Sequence, residues 1–545
     1  YFRLSELADS DLLEESDALS GLVFTGNQRQ EKKSVVHFYS FPEQEFSLKE
    51  GDNVSYKAET IGEIYSIDLV KRVLGIKKRK KAVDIHPTNI ICSDDIPDTP
   101  KEESIIRLAE YVLQNGIRST GSYQAGRELL LRSIKLPIDP SQINGQSNAA
   151  IMQVTSLDNN VLPIQGPPGT GKSYTAAQMI ISLIKAKKKI GVTALSHKVI
   201  TSLLEKVNKA AAKENMTIRI VQKVNESTGN VDPNWIEAED NLTVIENMQQ
   251  VDIAAGTSFM WARQEFFESV DFLFVDEAGQ LSLIDTLALS HAGKNLILMG
   301  DPQQLKQPQK GSHPEGTEVS ALEHILQEEK TISADQGLFL ETTWRMHPAI
   351  NDYISELFYD NRLHTKPDTV NQRLNGSPSY HEPGLYIELV NHEGNQNSSE
   401  EEVEKVASIV DNLLDHNVYW IDYDKQRHKL NSHHIKIISP YNAQVELLKA
   451  ALPNIQIGTV DKFQGQEAPV IIFSMATSTP EDAPRGMEFL YSLNRFNVAV
   501  SRARAVFILV ANPSLFEPAC KSTQQMQLAN SLCRLMERAK KISNE

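Results

Sequence analysis

The chain has 545 residues, 40% hydrophobic and 23% charged, a globular balance that suits three or four domains and excludes a mainly disordered chain. Its 27 glycines and 24 prolines are too few for a fibrous protein, and three cysteines (Cys92, Cys520, Cys533) build neither a disulfide framework nor a CxxC metal site. A net charge of −16 argues against broad attraction to nucleic acid, while leaving room for a basic channel on an acidic surface. The cysteine usage suits a reducing compartment, so an intracellular, cytoplasmic location is expected, nuclear in a eukaryote. No apolar run approaches the roughly 18 residues of a membrane span, and residues 1–25 lack a signal-peptide core. A start at Tyr1 rather than Met reads as a fragment or a processed product.

Residues 1–20 read as acidic and helical. From Leu22 to about Ser93, short strands broken by Gly and Asp turns predict a small barrel. Within it, Lys77-Lys78-Arg79-Lys80-Lys81 is a basic run, as are Lys185 and Lys187–Lys189 further on; each reads as a solvated loop or helix end. Ile105, Leu108, Ala109, Val112 and Leu113 form one helical stripe that Gly116 ends. From about 140, apolar strands at Leu162–Ile164, Ile190–Thr193, Phe272–Val275 and Leu296–Met299 alternate with helices, as in a parallel sheet. A second set follows 335, at Ile435–Ile438, Val470–Phe473 and Val506–Val510, so two α/β domains are expected. The polar stretch 360–434 reads as surface connections.

Gly166-Pro167-Pro168-Gly169-Thr170-Gly171-Lys172-Ser173 directly follows the strand ending at Ile164. Its glycines let backbone N–H groups turn toward phosphate oxygens at the start of a helix running on from Tyr174. Lys172 would reach the β- and γ-phosphates, and Ser173 would hold Mg²⁺. Phe272–Val275 then runs into Asp276-Glu277, with Asp276 suited to the metal and Glu277 to the attacking water. Strand Leu296–Met299 ends in Gly300-Asp301-Pro302-Gln303-Gln304, where Gln304 could sense the γ-phosphate.

With these, Thr343-Trp344-Arg345-Met346-His347-Pro348, Ser439–Gln444, Gly458–Glu467 and Asn494–Arg504 complete a set in order, and residues 140–515 resemble a superfamily 1 helicase. The similarity is to the 1B branch of the nonsense-mediated-decay RNA helicase and the flap-processing nuclease–helicase. It implies an α/β fold of two RecA-like parallel-sheet domains, with an amino-terminal small β-barrel and a helical stalk. The boundaries expected are 1–100 for the barrel, 101–137 for the stalk, 138–334 for the first RecA-like domain and 335–545 for the second.

The resemblance implies an ATP- and Mg²⁺-dependent motor moving 5′ to 3′ on single-stranded nucleic acid, DNA in preference to RNA. Arg345 and Arg502, both expected on the second domain opposite Lys172, match the residues that stabilise the departing phosphoryl group. Arg504 reads equally well as a surface ion pair. Beyond Gly166, Pro167, Gly169, Thr170, Gly171, Lys172, Ser173 and Tyr174, the nucleotide set takes in Gln146 for adenine, Trp344 where relatives carry Tyr, and Glu467. Strand contacts are expected from Thr193, Ser196, His197, Thr257, Ser258, Pro440, Thr459 and Lys462, each of which could instead cap a loop. An ATP-gated clamp would carry the same motifs, and a nuclease domain could precede Tyr1. No nuclease-like carboxylate cluster stands out within the chain.

Overall fold

Seven short antiparallel strands open the chain in a computed structural model that describes residues 12, 18–31, 34–42, 44, 46, 48–57, 59–69, 71–78, 80–92, 98–138, 145–227, 229–230, 232–305, 317, 319–415, 417–463 and 465–540. They are β1 (Ala18–Ser20), β2 (Val23–Glu31), β3 (Ser34–Ser40), β4 (Asn53–Tyr56), β5 (Glu59–Asp68), β6 (Val73–Lys78) and β7 (Asn89–Cys92). Alternating side chains such as Leu74 and Ile76 turn one face inward, onto Tyr39, Phe41, Phe46, Ile64 and Ile90. The order is β1-β7-β4-β5-β6-β3-β2, and its edge strands β1 and β2 do not pair with each other among the described residues. The expected barrel is therefore an open half-barrel. Most of the helix expected over 1–20 lies outside the described residues, as does Arg79, and Ala18–Ser20 is strand.

Contacts divide the chain into two compact units, one of Tyr1–Ile96, Met346–Leu357 and Pro367–Glu545, the other of Pro97–Arg345 and Phe358–Lys366. The second unit begins with helices Thr99–Asn115 and Gln124–Leu131. Ser104 Oγ donates to Ala288 O at 2.6 Å and Lys101 pairs with Asp285 at 2.8 Å, so the segment read as a stalk is fastened to helix Leu283–Ser290 of this unit.

This unit's sheet is built from β8 (Val161–Gln165), β9 (Ile190–Thr193), β10 (Ile220–Lys223), β11 (Trp235–Ala238), β12 (Ile253–Ala255), β13 (Val270–Asp276), β14 (Gly293–Gly300) and β15 (Leu338–Phe339). All pairings are parallel, in the order β11-β10-β12-β9-β13-β14-β8-β15. The strands are near-continuous apolar runs because the sheet is covered by helices such as Lys172–Lys185 and His197–Lys213. Strand β14 separates β8, which leads into the glycine-rich loop, from β13, which ends in Asp276. β15 pairs with β8, so residues 335–345 join this unit, which runs past the expected start of a second domain at 335. Two-residue strands β16 (Thr342–Thr343) and β17 (His364–Thr365) pair in parallel within the same unit.

The other unit holds a small antiparallel sheet of β18 (Arg373–Asn375), β20 (Tyr419–Ile421) and β21 (Arg427–Lys429), together with β19 (Gly384–Leu389). With β22 (Ile435–Ile438), β23 (Gln456–Gly458), β24 (Ala468–Ser474) and β25 (Ala503–Ala511), β19 forms a parallel sheet ordered β19-β25-β24-β22-β23. The stretch 360–434 therefore contributes an edge strand of this sheet and a covering helix, Glu400–Asp415, rather than connections alone.

Candidate nucleotide site and nucleic-acid face

Parallel strands place every carboxyl end on one edge, and the site in the second unit is assembled along that edge. Gly166 N donates to Gly300 O at 2.9 Å, which ties the loop after β8 to the end of β14. Thr170 Oγ1 donates back to Pro167 O at 2.8 Å, and Gly171, at φ +82°, starts the helix that carries Lys172 and Ser173. Lys172 Nζ donates to Gly166 O at 2.6 Å, which lays the ammonium along the loop. Tyr174 is 60% exposed beside it. A side chain on Gly169 would come within 2.5 Å of Thr343 Oγ1 and 2.6 Å of Arg345 Cβ. Bare backbone is thus required, as in a loop whose amides face phosphates.

Asp276 closes β13 and is buried. Burial, then the neighbouring Glu277 charge, pushes its carboxyl up to about 7. Glu277 sits at φ +54°, a left-handed conformation unusual outside glycine and common at functional turns. Its N–H donates to Asp276 Oδ1 at 3.0 Å. Asp301, after β14, is buried, and burial alone raises its carboxyl; it accepts from Tyr359 Oη at 2.6 Å and Gln304 Nε2 at 2.7 Å. Gln304 is thereby fixed rather than free to wander. The pairing of Tyr359 with Asp301 had no signal in the sequence, because 58 residues separate them.

Trp344 N donates to Gly169 O at 2.9 Å, and Thr343 Oγ1 donates to Pro168 O at 2.9 Å. Arg345 therefore belongs to the same unit as Lys172, and the expectation that both arginines stand on the opposite domain is corrected; Arg502 alone is in the other unit. The Trp344 ring is 56% exposed, with Lys366 Nζ 4.3 Å from its centre. Gln146 opens helix Gln146–Ser156 after Gly145, half-buried. Together the open backbone cradle, the cation of Lys172 and the buried carboxylate of Asp276 fit a nucleotide held with a divalent cation.

Further along the edge, Thr193 ends β9 and is fully buried, and Ser258 is also buried. Ser196 is exposed and caps helix His197–Lys213, accepting from Val199 N at 3.4 Å. Burial holds the His197 imidazole below its ordinary pKa. Thr257 is half-buried in the turn after β12. In the other unit, Pro440 and Thr459 follow the adjacent strands β22 and β23, and Lys462 Nζ donates to Ile457 O at 3.3 Å. Glu467 accepts from Arg504 Nε at 3.0 Å, with a second bond from the same guanidinium. That contact makes Arg504 part of a local ion pair and occupies Glu467. Arg502 is buried, 2% exposed. The basic run at Lys185–Lys189 lies at the amino edge of the sheet, where Lys189 Nζ donates to Val251 O at 2.6 Å. It has no part in this site.

Among the described residues no helix is long and apolar enough to cross a membrane. Two family models described as AAA domain match residues 142–330 and 317–514. The chain is 27% identical over 445 residues to the putative helicase mov-10-B.1 of Danio rerio, covering 69% of this chain and 43% of that one. It is 26% identical over 400 residues to the DNA replication ATP-dependent helicase/nuclease dna2 of Schizosaccharomyces pombe, covering 70% and 28%. It is 28% identical over 413 residues to RNA helicase Mov10l1 of Mus musculus, covering 68% and 34%. The chain thus spans less than half the length of these relatives. A solved Arterivirus nonstructural protein 10 (helicase) with DNA aligns at a TM-score of 0.37 and 14% identity, over 70% of this chain and 65% of that chain. Motif for motif, and along these relatives, the chain is similar to the superfamily 1 helicases.

Proposed function

We infer that the chain is an ATP-driven motor that moves 5′ to 3′ along single-stranded nucleic acid, DNA before RNA, and opens duplex ahead of it. The observation that carries this reading is the joining of the phosphate loop to Thr343-Trp344-Arg345 through Gly169 and Pro168, beside Asp276, Glu277 and Gln304 in one unit. Lys172 and Arg345 would bear on the nucleotide's phosphates, Trp344 would stack on its base, and Glu277 would orient the attacking water and take its proton. A Mg²⁺ ion held by Ser173 and Asp276 would supply charge neutralisation on the phosphates. Arg502 keeps the transition-state role its motif implies. Support for DNA comes from the helicase/nuclease relative, and the same relative motivates a nuclease on a longer chain.

The test is ATP turnover with matched DNA and RNA oligonucleotides, followed by strand displacement on duplexes tailed at either end. Stimulation by DNA and displacement from a 5′ tail are expected. Stimulated turnover without displacement would leave an ATP-gated clamp.

A further inference from the structure

Charged side chains from three neighbouring strands gather at the amino edge of the second parallel sheet, all within one unit. Lys436 is the second residue of β22, and Glu467 immediately precedes β24. Arg502 immediately precedes β25, and Arg504 is its second residue. The strand order β25-β24-β22 sets these ends side by side, and Ala468 N donates to Arg502 O at 3.1 Å. Arg504 is committed to Glu467 by two hydrogen bonds, with its guanidinium 5.3 Å from the centre of the Trp420 ring.

Lys436 is the unexpected member. Ile435 and Ile437 turn into the core of this sheet, so strand alternation sends Lys436 to the opposite face. It is 7% exposed, and its Nζ donates to Gln466 Oε1 at 2.6 Å while lying 5.3 Å from the centre of the Phe463 ring. Gln466 is itself held. Its Nε2 donates to Lys462 O at 3.1 Å, and its backbone N–H to Phe463 O at 3.0 Å. The ammonium is thus anchored by a neutral amide, a costly way to bury a charge. Burial pushes its pKa below the ordinary 10.5, Glu467 opposes that, and the like charge of Arg502 adds to it. Lys436 therefore stands within electrostatic reach of both Glu467 and Arg502.

Lys436, Arg502 and Arg504 set three cations against the Glu467 carboxylate, an excess that suits an anion gaining charge during reaction. With less positive charge around it, Glu467 would draw Arg502 toward itself and cancel that charge. We propose that Lys436 is a positioning residue for the transition-state arginine: its ammonium offsets Glu467 and keeps the Arg502 charge available to the departing phosphoryl group. The proposal rests on the role given above to Arg502 and adds a residue outside the motifs that carry the resemblance.

The experiment is single-turnover hydrolysis by the full chain at saturating Mg·ATP, with a single-stranded DNA oligonucleotide present, from about pH 7 to 10. Lys436→Met keeps the stem and removes the charge. At pH 7 it should hydrolyse about 10–100-fold more slowly, the worth of one nearby unit charge at an effective dielectric of about 20. Its ATP affinity by equilibrium filtration should barely change. Lys436→Arg, which keeps the charge and can still donate to Gln466, should recover most of the rate. The wild-type rate should decline on the alkaline side as Lys436 loses its proton, and Lys436→Arg should lose much of that decline. A purely structural lysine would move the melting temperature in Lys436→Met and leave the two pH profiles alike. Near-normal turnover in Lys436→Met, or an alkaline decline that Lys436→Arg keeps in full, overturns the proposal. Arg502→Lys run alongside separates the two readings. If it keeps most of its rate, the role of Arg502 fails and that of Lys436 with it; if it collapses while Lys436→Met does not, the Lys436 role alone fails.

Discussion

Gly169 and Gly171 lie two residues apart in the phosphate loop, and replacing each by alanine separates two physical costs. Gly171 is at φ +82°, and a Cβ there would find nothing nearer than Tyr174 Cβ at 3.9 Å. Gly171→Ala therefore incurs the left-handed backbone cost alone, about 1–2 kcal/mol. Gly169, at φ +76°, carries the same cost and adds a collision. Its new Cβ would lie 2.5 Å from Thr343 Oγ1, a buried hydroxyl tied to Pro168 O, and 2.6 Å from Arg345 Cβ. Neither is the free end of a flexible side chain, so overpacking contributes about 1–3 kcal/mol more. The melting transition that rises with added Mg·ATP marks this unit. For a domain of roughly 150–250 residues it should fall by about 2–8 °C in Gly171→Ala and by about 4–20 °C in Gly169→Ala. Gly169→Ala should also lose ATPase activity, since Arg345 must shift. Equal melting losses in the two variants would refute the claim that the loop is packed onto Thr343 and Arg345.

Glu277→Gln should retain ATP binding by equilibrium filtration yet hydrolyse at least about a hundredfold more slowly; near-normal turnover removes Glu277 from the proton-accepting role. Arg502→Lys should lower single-turnover hydrolysis by roughly 10³-fold with little change in ATP affinity, while Arg504→Lys, whose group is paired with Glu467, should lose far less. If both variants keep most of the rate, neither arginine stabilises the transition state. His347 is buried, its Nδ1 accepts from Ala349 N at 3.1 Å, and burial pushes its pKa down to about 4. Its stabilising contribution is therefore full above its ordinary 6.5 and is lost as pH falls toward 4. Urea midpoints between pH 7 and 4 should fall less steeply in His347→Leu than in the wild type, and parallel curves would contradict this.

The glycine spacing at 166–171 and the apolar runs before Asp276 and Gly300 were legible because each signal is local and strong. Arg345 was misplaced because the elements that bind it to the phosphate loop, β15 and β16, are two residues long and leave no periodic trace. Strand β12 is nearly as short, three residues, and leaves as little trace. Helix Glu400–Asp415 is a different case. Val403, Val406, Ile409, Val410 and Leu413 form a clear stripe, but the surrounding Asn, His and Glu made the whole region look like solvent-facing connection. The half-barrel was anticipated in kind but not in closure, since bulges at Phe24–Gln28, Val54–Ser55 and Ile64–Ser66 change its pairing.

The division of the chain into units also orders its synthesis. The half-barrel is made before residues 97–345, yet it belongs with Met346–Leu357 and Pro367–Glu545, most of which is made after them. Between residues 96 and 346 a ribosome adding about 5–20 residues per second needs roughly tens of seconds, during which the other unit emerges nearly whole. The half-barrel has a core of its own around Tyr39, Ile64 and Ile90 and can collapse at once. Phe41 and Phe46 belong to that core, so their burial does not wait for the later segments. Stalling translation before residue 346 should therefore yield a half-barrel already resistant to protease, which the later segments of its unit then join.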